Sequence, residues 1–388
     1  MLKYKISNSG SSLPVEYAHG VRVVRVQFPA PRPNMYDIIK FKSVFDPVLE
    51  KLLDKRLEEF SANTSDSFIK NFVLYSKNLV MAGGKRVRPY LAYLMYISLG
   101  GKEVDSSLNL FTSLEIFHTF CLVHDDIMDK STIRHGVETI PAYVSKKLLE
   151  EKRRGDLHHV GNAQGILIGD LLFSWAMEVF IKNGCFSHDN IVEAQKYFYK
   201  MIDEVVLGQM IDIDITTRET AYEELIEEKT RLKTSRYSFV RPMQIGASLA
   251  KKDHQMDEFC ETLGTRLGIA FQVQDDLLDL IGDPEVTHKN ILRDIADYQH
   301  TFFTNYIFTS GTNTQKTYLK QIFGKEVAEE KQKDVQDLFI SSGAINAGNQ
   351  LIEKNLREAK VIVETSDLPN ENKQYFLQLI NVIEQRKS

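Results

Sequence analysis

The chain has 388 residues, 43% of them apolar and 26% charged, which is enough to bury a large core and excludes disorder throughout. Lys and Arg number 48 against 53 Asp and Glu; the resulting net charge of −5 argues against a general nucleic-acid binder, which needs a concentrated basic surface. Three scattered cysteines, Cys121, Cys185 and Cys260, exclude a disulfide framework or zinc ribbon and fit a reducing compartment, so the expected location is the cytoplasm. No run approaches the roughly 18 uninterrupted apolar residues that a membrane span needs. The longest, Gly165 to Ile181, carries Asp170 in its interior.

Residues 1–34 differ from the rest. They hold Ser7, Ser9, Ser11, Ser12 and the breaker cluster Pro29-Ala30-Pro31-Arg32-Pro33, and read as a disordered or extended N-terminal tail, with Met35 an alternative start. Within them Val21 to Phe28 alternates like a short, lone strand. Residues 35–388 read as one all-α domain, because Pro and Gly are scarce and apolar residues recur at spacings of three and four. Val44, Val48, Leu52, Leu53, Leu57 and Phe60 form a first stripe. Val73, Leu74, Val80 and Met81 form a second, which Gly83-Gly84 stops. Leu108 to Met128 is apolar on most sides, as a buried helix is. Ser145 to His159 is charged in both signs and predicts an exposed helix and turn. Further helices are predicted over Ile166–Ile181, Ile191–Met210, Tyr237–Leu249, Leu263–Ile281, Tyr318–Ile322 and Gln350–Val363.

Two acidic clusters interrupt this apolar texture. Asp125-Asp126-Ile127-Met128-Asp129 and Asp275-Asp276-Leu277-Leu278-Asp279 each place their outer carboxylates at i and i+4, one above the other on one helix face. Like charges there repel, and burying them is costly unless a cation neutralises them. Magnesium is the economical choice, since it accepts one or two carboxylates and completes its shell with water and substrate phosphate. A single Asp-Asp-x-x-Asp is often only a solvated helix turn. Two copies, 150 positions apart in matching apolar settings, point instead to a diphosphate held through bridging Mg²⁺.

A diphosphate also needs cationic donors. Gly83-Gly84-Lys85-Arg86-Val87-Arg88-Pro89 offers a permissive backbone and three basic side chains, and is not a Walker A loop. Arg134-His135-Gly136 follows the first acidic cluster, and Lys233-Thr234 opens a helix that enters the core.

Taken in order with Gly169-Asp170 and Phe271-Gln272-Val273-Gln274-Asp275-Asp276, these segments resemble the trans-isoprenyl diphosphate synthases, the farnesyl, geranylgeranyl and polyprenyl diphosphate synthase family. The resemblance implies a bundle of long, mostly antiparallel helices around a deep central cavity, usually a homodimer, with 35–388 as the catalytic domain. Its implied reaction is Mg²⁺-dependent head-to-tail condensation of isopentenyl diphosphate with an allylic diphosphate (dimethylallyl, geranyl or farnesyl), using three ions with bound diphosphate. Asp125, Asp129 and Asp275 would ligate metal, with Asp126, Asp276 and Asp279 as ligands or supporting partners. Arg134, Lys233, Thr234, Phe271, Gln272 and Lys289 would serve the allylic diphosphate. Lys85, Arg88 and His118 would hold isopentenyl diphosphate, with Gly84, His135 and Arg386-Lys387 nearby.

The sequence departs from the family pattern in places. His135 stands where a second Arg is common, and Gln299 where a Lys is usual after Asp294. One extra residue lies between Lys289 and Asp294, and Ser145–His159 looks inserted. Product length should follow from what blocks the cavity below the first cluster. Phe120 and Phe117 precede Asp125 by five and eight residues, roughly 7 and 12 Å deeper at helical rise, with the small Cys121 beside them. An aromatic at the fifth position resembles archaeal-type geranylgeranyl synthases, so C20 is the expected product and C15 the alternative. The rival readings are a class I terpene cyclase, which would not need the Gly-Gly-Lys-Arg-Val-Arg segment, and a non-catalytic regulatory subunit.

Overall fold

A computed structural model of the chain describes residues 37–181, 185–250, 254–282 and 291–385. The lone strand expected over Val21–Phe28, Lys289 and Arg386-Lys387 lie outside the described residues.

The fold is all-α. Helix α1 (Ile38–Ser61) starts at Asp37, whose carboxylate accepts from the Ile39 and Lys40 backbone N–H groups at 2.8 and 3.3 Å. Its fully buried seam is Phe41, Phe45, Leu49, Leu53 and Leu57. The expected Val44, Val48, Leu52 and Phe60 are only half-buried beside it. Phe41 stacks on Phe45 at 5.2 Å and reaches Tyr90 and Tyr93 of the third helix, contacts that the smaller valines could not make. Helix α2 (Ser67–Met81) is capped by Asp66 and ends before Gly83-Gly84, as the glycines predict.

Helix α3 (Val87–Ser98) has no counterpart in the sequence reading, which stopped at the glycine-rich segment. Pro89 sits in its first turn, where a missing N–H costs nothing, and nearly every later side chain is buried. Helix α4 (Val104–Met128) is buried along most of its length and carries the first acidic cluster at its C-terminus. A two-residue hairpin follows, Ile133–Arg134 against Val137–Glu138. Its central residues, His135 and Gly136, have φ of 51° and 79°, the positive pair that a type I′ turn requires.

Helix α5 (Ile140–Glu150) and the exposed turn after it occupy the charged segment, in line with its composition. Helix α6 (Leu157–Ile181) is long and apolar enough to cross a membrane, yet Ile168, Leu172, Trp175, Ala176 and Phe180 are buried in the core. It packs on α4 at Gly169, where any Cβ would collide with the His124 ring. Helix α7 (His188–Ile215) and short α8 (Glu223–Lys229) lead into a π-helix, Thr230–Val240, and then α9 (Arg241–Ala250). The predicted helix over Tyr237–Leu249 therefore begins in wider winding. A Cβ at Gly208 of α7 would meet the Lys233 backbone N at 2.8 Å, so glycine lets the π-helix lie directly against α7.

Helix α10 (His254–Ile281) closes the other side of the π-helix and carries the second acidic cluster near its C-terminus. The remainder is helical: α11 (Arg293–Ala296), α12 (Phe302–Ser310), α13 (Asn313–Ile322), α14 (Glu329–Ser341), α15 (Ala344–Thr365) and α16 (Asn370–Glu384). Helix α15 buries Ile352, Leu356, Ala359 and Val363 and packs against α10.

Candidate active site

The last turns of α4 and α10 carry the two acidic clusters, and the π-helix between α7 and α10 links them. Lys233 donates to Asp212 Oδ2 at 2.6 Å, and Lys229 lies 3.0 Å from Oδ1 of the same carboxylate. One residue further on, Thr234 Oγ1 donates to Gln272 Oε1 at 2.5 Å. The Gln272 amide in turn donates to Asp276 Oδ1 at 2.7 Å.

Asp126 and Asp276 are buried, Asp125, Asp275 and Asp279 half-buried, and Asp129 exposed. Burial pushes the Asp125 carboxyl upward against the pull of Lys233, and raises Asp126 and Asp129 to about 6. Asp276 is raised to about 7, again mainly by burial, and Asp294 well above the usual carboxylate range. Asp212 goes the other way: Lys229 and Lys233 together outweigh its burial and hold it down.

The members of each cluster differ in role. Asp126 is buried and its Oδ1 accepts from Arg134 Nε and Nη2 at 2.8 and 2.6 Å, while its Oδ2 is buried without a hydrogen-bond partner. The hairpin turn is what aims Arg134 at it. Asp279 accepts the backbone N–H groups of Arg293 and Asp294 at 3.0 and 3.1 Å, which anchors the start of α11. Asp125 and Asp129 remain one turn apart at the end of α4, with Lys233 the strongest cationic pull on both. Asp275 occupies the corresponding place on α10. Asp170 is exposed, 3.7 Å from His124.

Among the described residues, no three His, Cys, Asp or Glu side chains converge closely enough to enclose a metal alone. Pairs of helical carboxylates with an orphaned buried oxygen nearby suit Mg²⁺, which draws its remaining ligands from water and phosphate.

A second group of donors gathers around Tyr237. His118 Nδ1 lies 3.0 Å from the Tyr237 hydroxyl, and the Arg88 guanidinium sits 4.3 Å from the centre of its ring while donating to Ser238 Oγ at 2.8 Å. Burial, with Arg88 and His135 adding to it, pushes His118 well below its ordinary value, so it is neutral at pH 7. The His135 ring packs on Gly83, where a Cβ would meet its Cγ at 2.8 Å, so the hairpin and the glycine-rich segment touch. Gly84 has φ +90°, and Lys85 beside it is exposed.

Arg86 is not part of this basic group. It is 2% exposed and pairs with Asp46 and Glu115 at 2.8 and 2.6 Å, so one of the three basic side chains holds α1, α3 and α4 together instead. Below the first cluster, Phe117 is fully buried and Phe120 half-buried, 5.3 Å apart. Both contact Phe173 of α6, and Phe117 also meets Phe198 of α7. Burial pushes the neighbouring Cys121 thiol up to about 12, so it acts as a small apolar surface. Phe271 packs on Phe239 at 5.6 Å.

Sequence reasoning missed Asp212, Lys229, Tyr237 and Phe173. Two of them left a signal: Asp212 is an acid between isoleucines, and Lys229-Thr230 repeats Lys233-Thr234 one turn earlier.

A family model for polyprenyl synthetase matches residues 70–339. A short chain isoprenyl diphosphate synthase of Methanocaldococcus jannaschii is 31% identical over 269 residues, covering 68% of this chain and 75% of its own. A geranylfarnesyl diphosphate synthase of Aeropyrum pernix is 28% identical, covering 76% of this chain and 86% of its own. Among solved structures, geranylgeranyl pyrophosphate synthase from Corynebacterium glutamicum, complexed with isoprenyl diphosphate and magnesium, superposes with a TM-score of 0.85 at 27% identity, covering 90% of this chain and 99% of that one. The chain belongs to the polyprenyl synthetase family and is a prenyltransferase of isoprenoid biosynthesis that condenses prenyl chains. Neither a terpene cyclase nor a regulatory subunit is favoured by these matches.

Proposed function

We propose that the protein joins isopentenyl diphosphate head-to-tail to an allylic diphosphate and releases a C20 product and pyrophosphate. The observation that carries this reading is the pair of acidic clusters ending α4 and α10, with Lys233 acting on Asp125 and Asp129 and Thr234 reaching Asp276 through Gln272. Asp125, Asp129 and Asp275 would hold Mg²⁺, which, when bound, neutralises charge on the allylic diphosphate.

The protein's own side chains do the rest. Lys233, Thr234 and Gln272, with Arg134 behind Asp126, steady the leaving diphosphate as the allylic C–O bond breaks and negative charge builds on oxygen. Arg88, Lys85 and neutral His118 orient isopentenyl diphosphate so that its terminal alkene carbon attacks the allylic carbon. The attack leaves a cation on the internal alkene carbon of isopentenyl diphosphate; one proton then leaves its neighbour C2, the released pyrophosphate serving as base, and the new double bond forms between those two carbons. Phe117, Phe120 and Phe173 line an apolar floor that excludes water from the cation. Phe120, the half-buried ring nearest the first cluster, stops the growing chain, backed by the packed Phe117, and C20 is supported by the similarity to geranylgeranyl synthases.

Two further elements of the reading concern context. Helix α7 exposes Val206, Leu207, Met210 and Ile213, an apolar face that a second copy of the chain would cover, so the working form is a homodimer. A cytoplasmic location suits its free cysteines. The test is incubation with Mg²⁺, isopentenyl diphosphate and each of the C5, C10 and C15 allylic diphosphates, with products sized by mass spectrometry. A single C20 diphosphate is expected; no elongation of any primer would contradict the reaction, and a C15 or C25 end product would correct its length.

A further inference from the structure

Lys229 and Lys233 lie four residues apart where α8 runs into the π-helix, and both ammonium groups end on one carboxylate, that of Asp212. Thr234, next to Lys233, leads through Gln272 to Asp276 of the second cluster. Lys229 also donates to the His300 carbonyl at 3.0 Å, so it reaches the segment that follows the second cluster. That segment carries the uncharged Gln299 immediately before His300.

The count of donors matters here. An ammonium carries three N–H groups, and Asp212 and His300 take two of those on Lys229. The Lys229 side chain is only 13% exposed, and a charge so shielded from water interacts strongly with an incoming anion.

We propose that Lys229 is a binding residue for the allylic diphosphate, supplying at the second acidic cluster the positive charge that Gln299 does not. Lys229 and Lys233 then form a pair of ammonium groups held side by side by Asp212. The proposal rests on the condensation reading above.

The test compares Lys229→Gln with the natural protein. Glutamine retains donors for Asp212 and the His300 carbonyl but removes the charge, and Lys233 still neutralises Asp212, so the fold is preserved. The KM for the allylic diphosphate should rise about tenfold or more while that for isopentenyl diphosphate stays within about twofold. Calorimetric affinity for inorganic pyrophosphate with Mg²⁺ should fall similarly, a readout that does not depend on turnover. Adding Gln299→Lys to the Lys229→Gln protein should recover most of the loss. Unchanged KM values, an equal rise for both substrates, or unaltered pyrophosphate affinity would overturn the proposal, and so would failure of Gln299→Lys to restore binding. If the natural protein elongates no primer, the condensation reading falls instead, and pyrophosphate affinity still decides the role of Lys229.

Discussion

Arg134 donates from both Nε and Nη2 to a single oxygen of Asp126, while the other carboxylate oxygen is buried without a partner. An Asp in this state is held by the hairpin rather than offered to solvent, and the pair ties the hairpin to the end of α4. Removing the cation leaves a buried carboxylate uncompensated. Because Arg134 is partly exposed, Arg134→Ala should cost about 2–4 kcal/mol, toward the low end of what breaking a buried pair costs. Urea unfolding of the two proteins measures it, and a change below about 0.5 kcal/mol would contradict the account.

The raised carboxyl groups make stability depend on pH in a definite direction. Asp126 and Asp129 at about 6 and Asp276 at about 7 all lie above their ordinary 3.8, so the folded protein binds these protons more tightly than the unfolded chain. Their contribution is fully present below about pH 4 and is lost as pH rises through 6 to 7. In EDTA these groups should lower the melting temperature between pH 5.5 and 8. Saturating Mg²⁺ with pyrophosphate should flatten or reverse that slope, because the ions take the place of the protons. Thermal melts under the two conditions check this, and parallel slopes would count against metal binding at these acids.

Arg86 and Lys85, adjacent in sequence, should fail in different ways. Replacing Arg86 with Met breaks a buried triad with Asp46 and Glu115 and should cost about 3–5 kcal/mol of stability. Lys85→Ala should leave the melting temperature nearly unchanged and raise the KM for isopentenyl diphosphate about tenfold. Denaturant titration and initial rates separate the two effects.

The aromatic floor predicts a change of product. Phe120→Ala opens the half-buried ring position nearest the first cluster and should lengthen the product by at least one C5 unit. Phe117→Ala, fully buried against Phe173, Phe198 and Tyr237, should instead cost about 3–5 kcal/mol of stability. Mass spectrometry of products and unfolding curves distinguish a chain-length stop from a packing residue.

The parts legible in the sequence were those with a periodic or chemical signature. Apolar spacing located α1, α2, α4, α6, α7, α10 and α15, and repeated Asp-Asp-x-x-Asp located both acidic clusters. Helix α3 was hidden because Arg86 in a left-handed conformation and an early Pro89 look like loop chemistry until the helix is seen to start just there. The π-helix was hidden because its wider winding leaves no distinct sequence period. Arg86 looked like its basic neighbours, and only burial between Asp46 and Glu115 separates it from them. Lys229 and Asp212 matter through contacts across 17 residues of sequence, which neither motif spacing nor periodicity reports.

The most direct test of the central claim is the initial rate of isopentenyl diphosphate incorporation in Asp125→Asn and Asp275→Asn, each compared with the natural protein at saturating Mg²⁺. If both clusters hold the metal-bound diphosphate, each variant should lose at least about a hundredfold in rate, comparable to losing a main source of transition-state charge stabilisation, with its melting temperature retained. A variant that keeps its rate within a few-fold would show that its cluster does not serve the reaction.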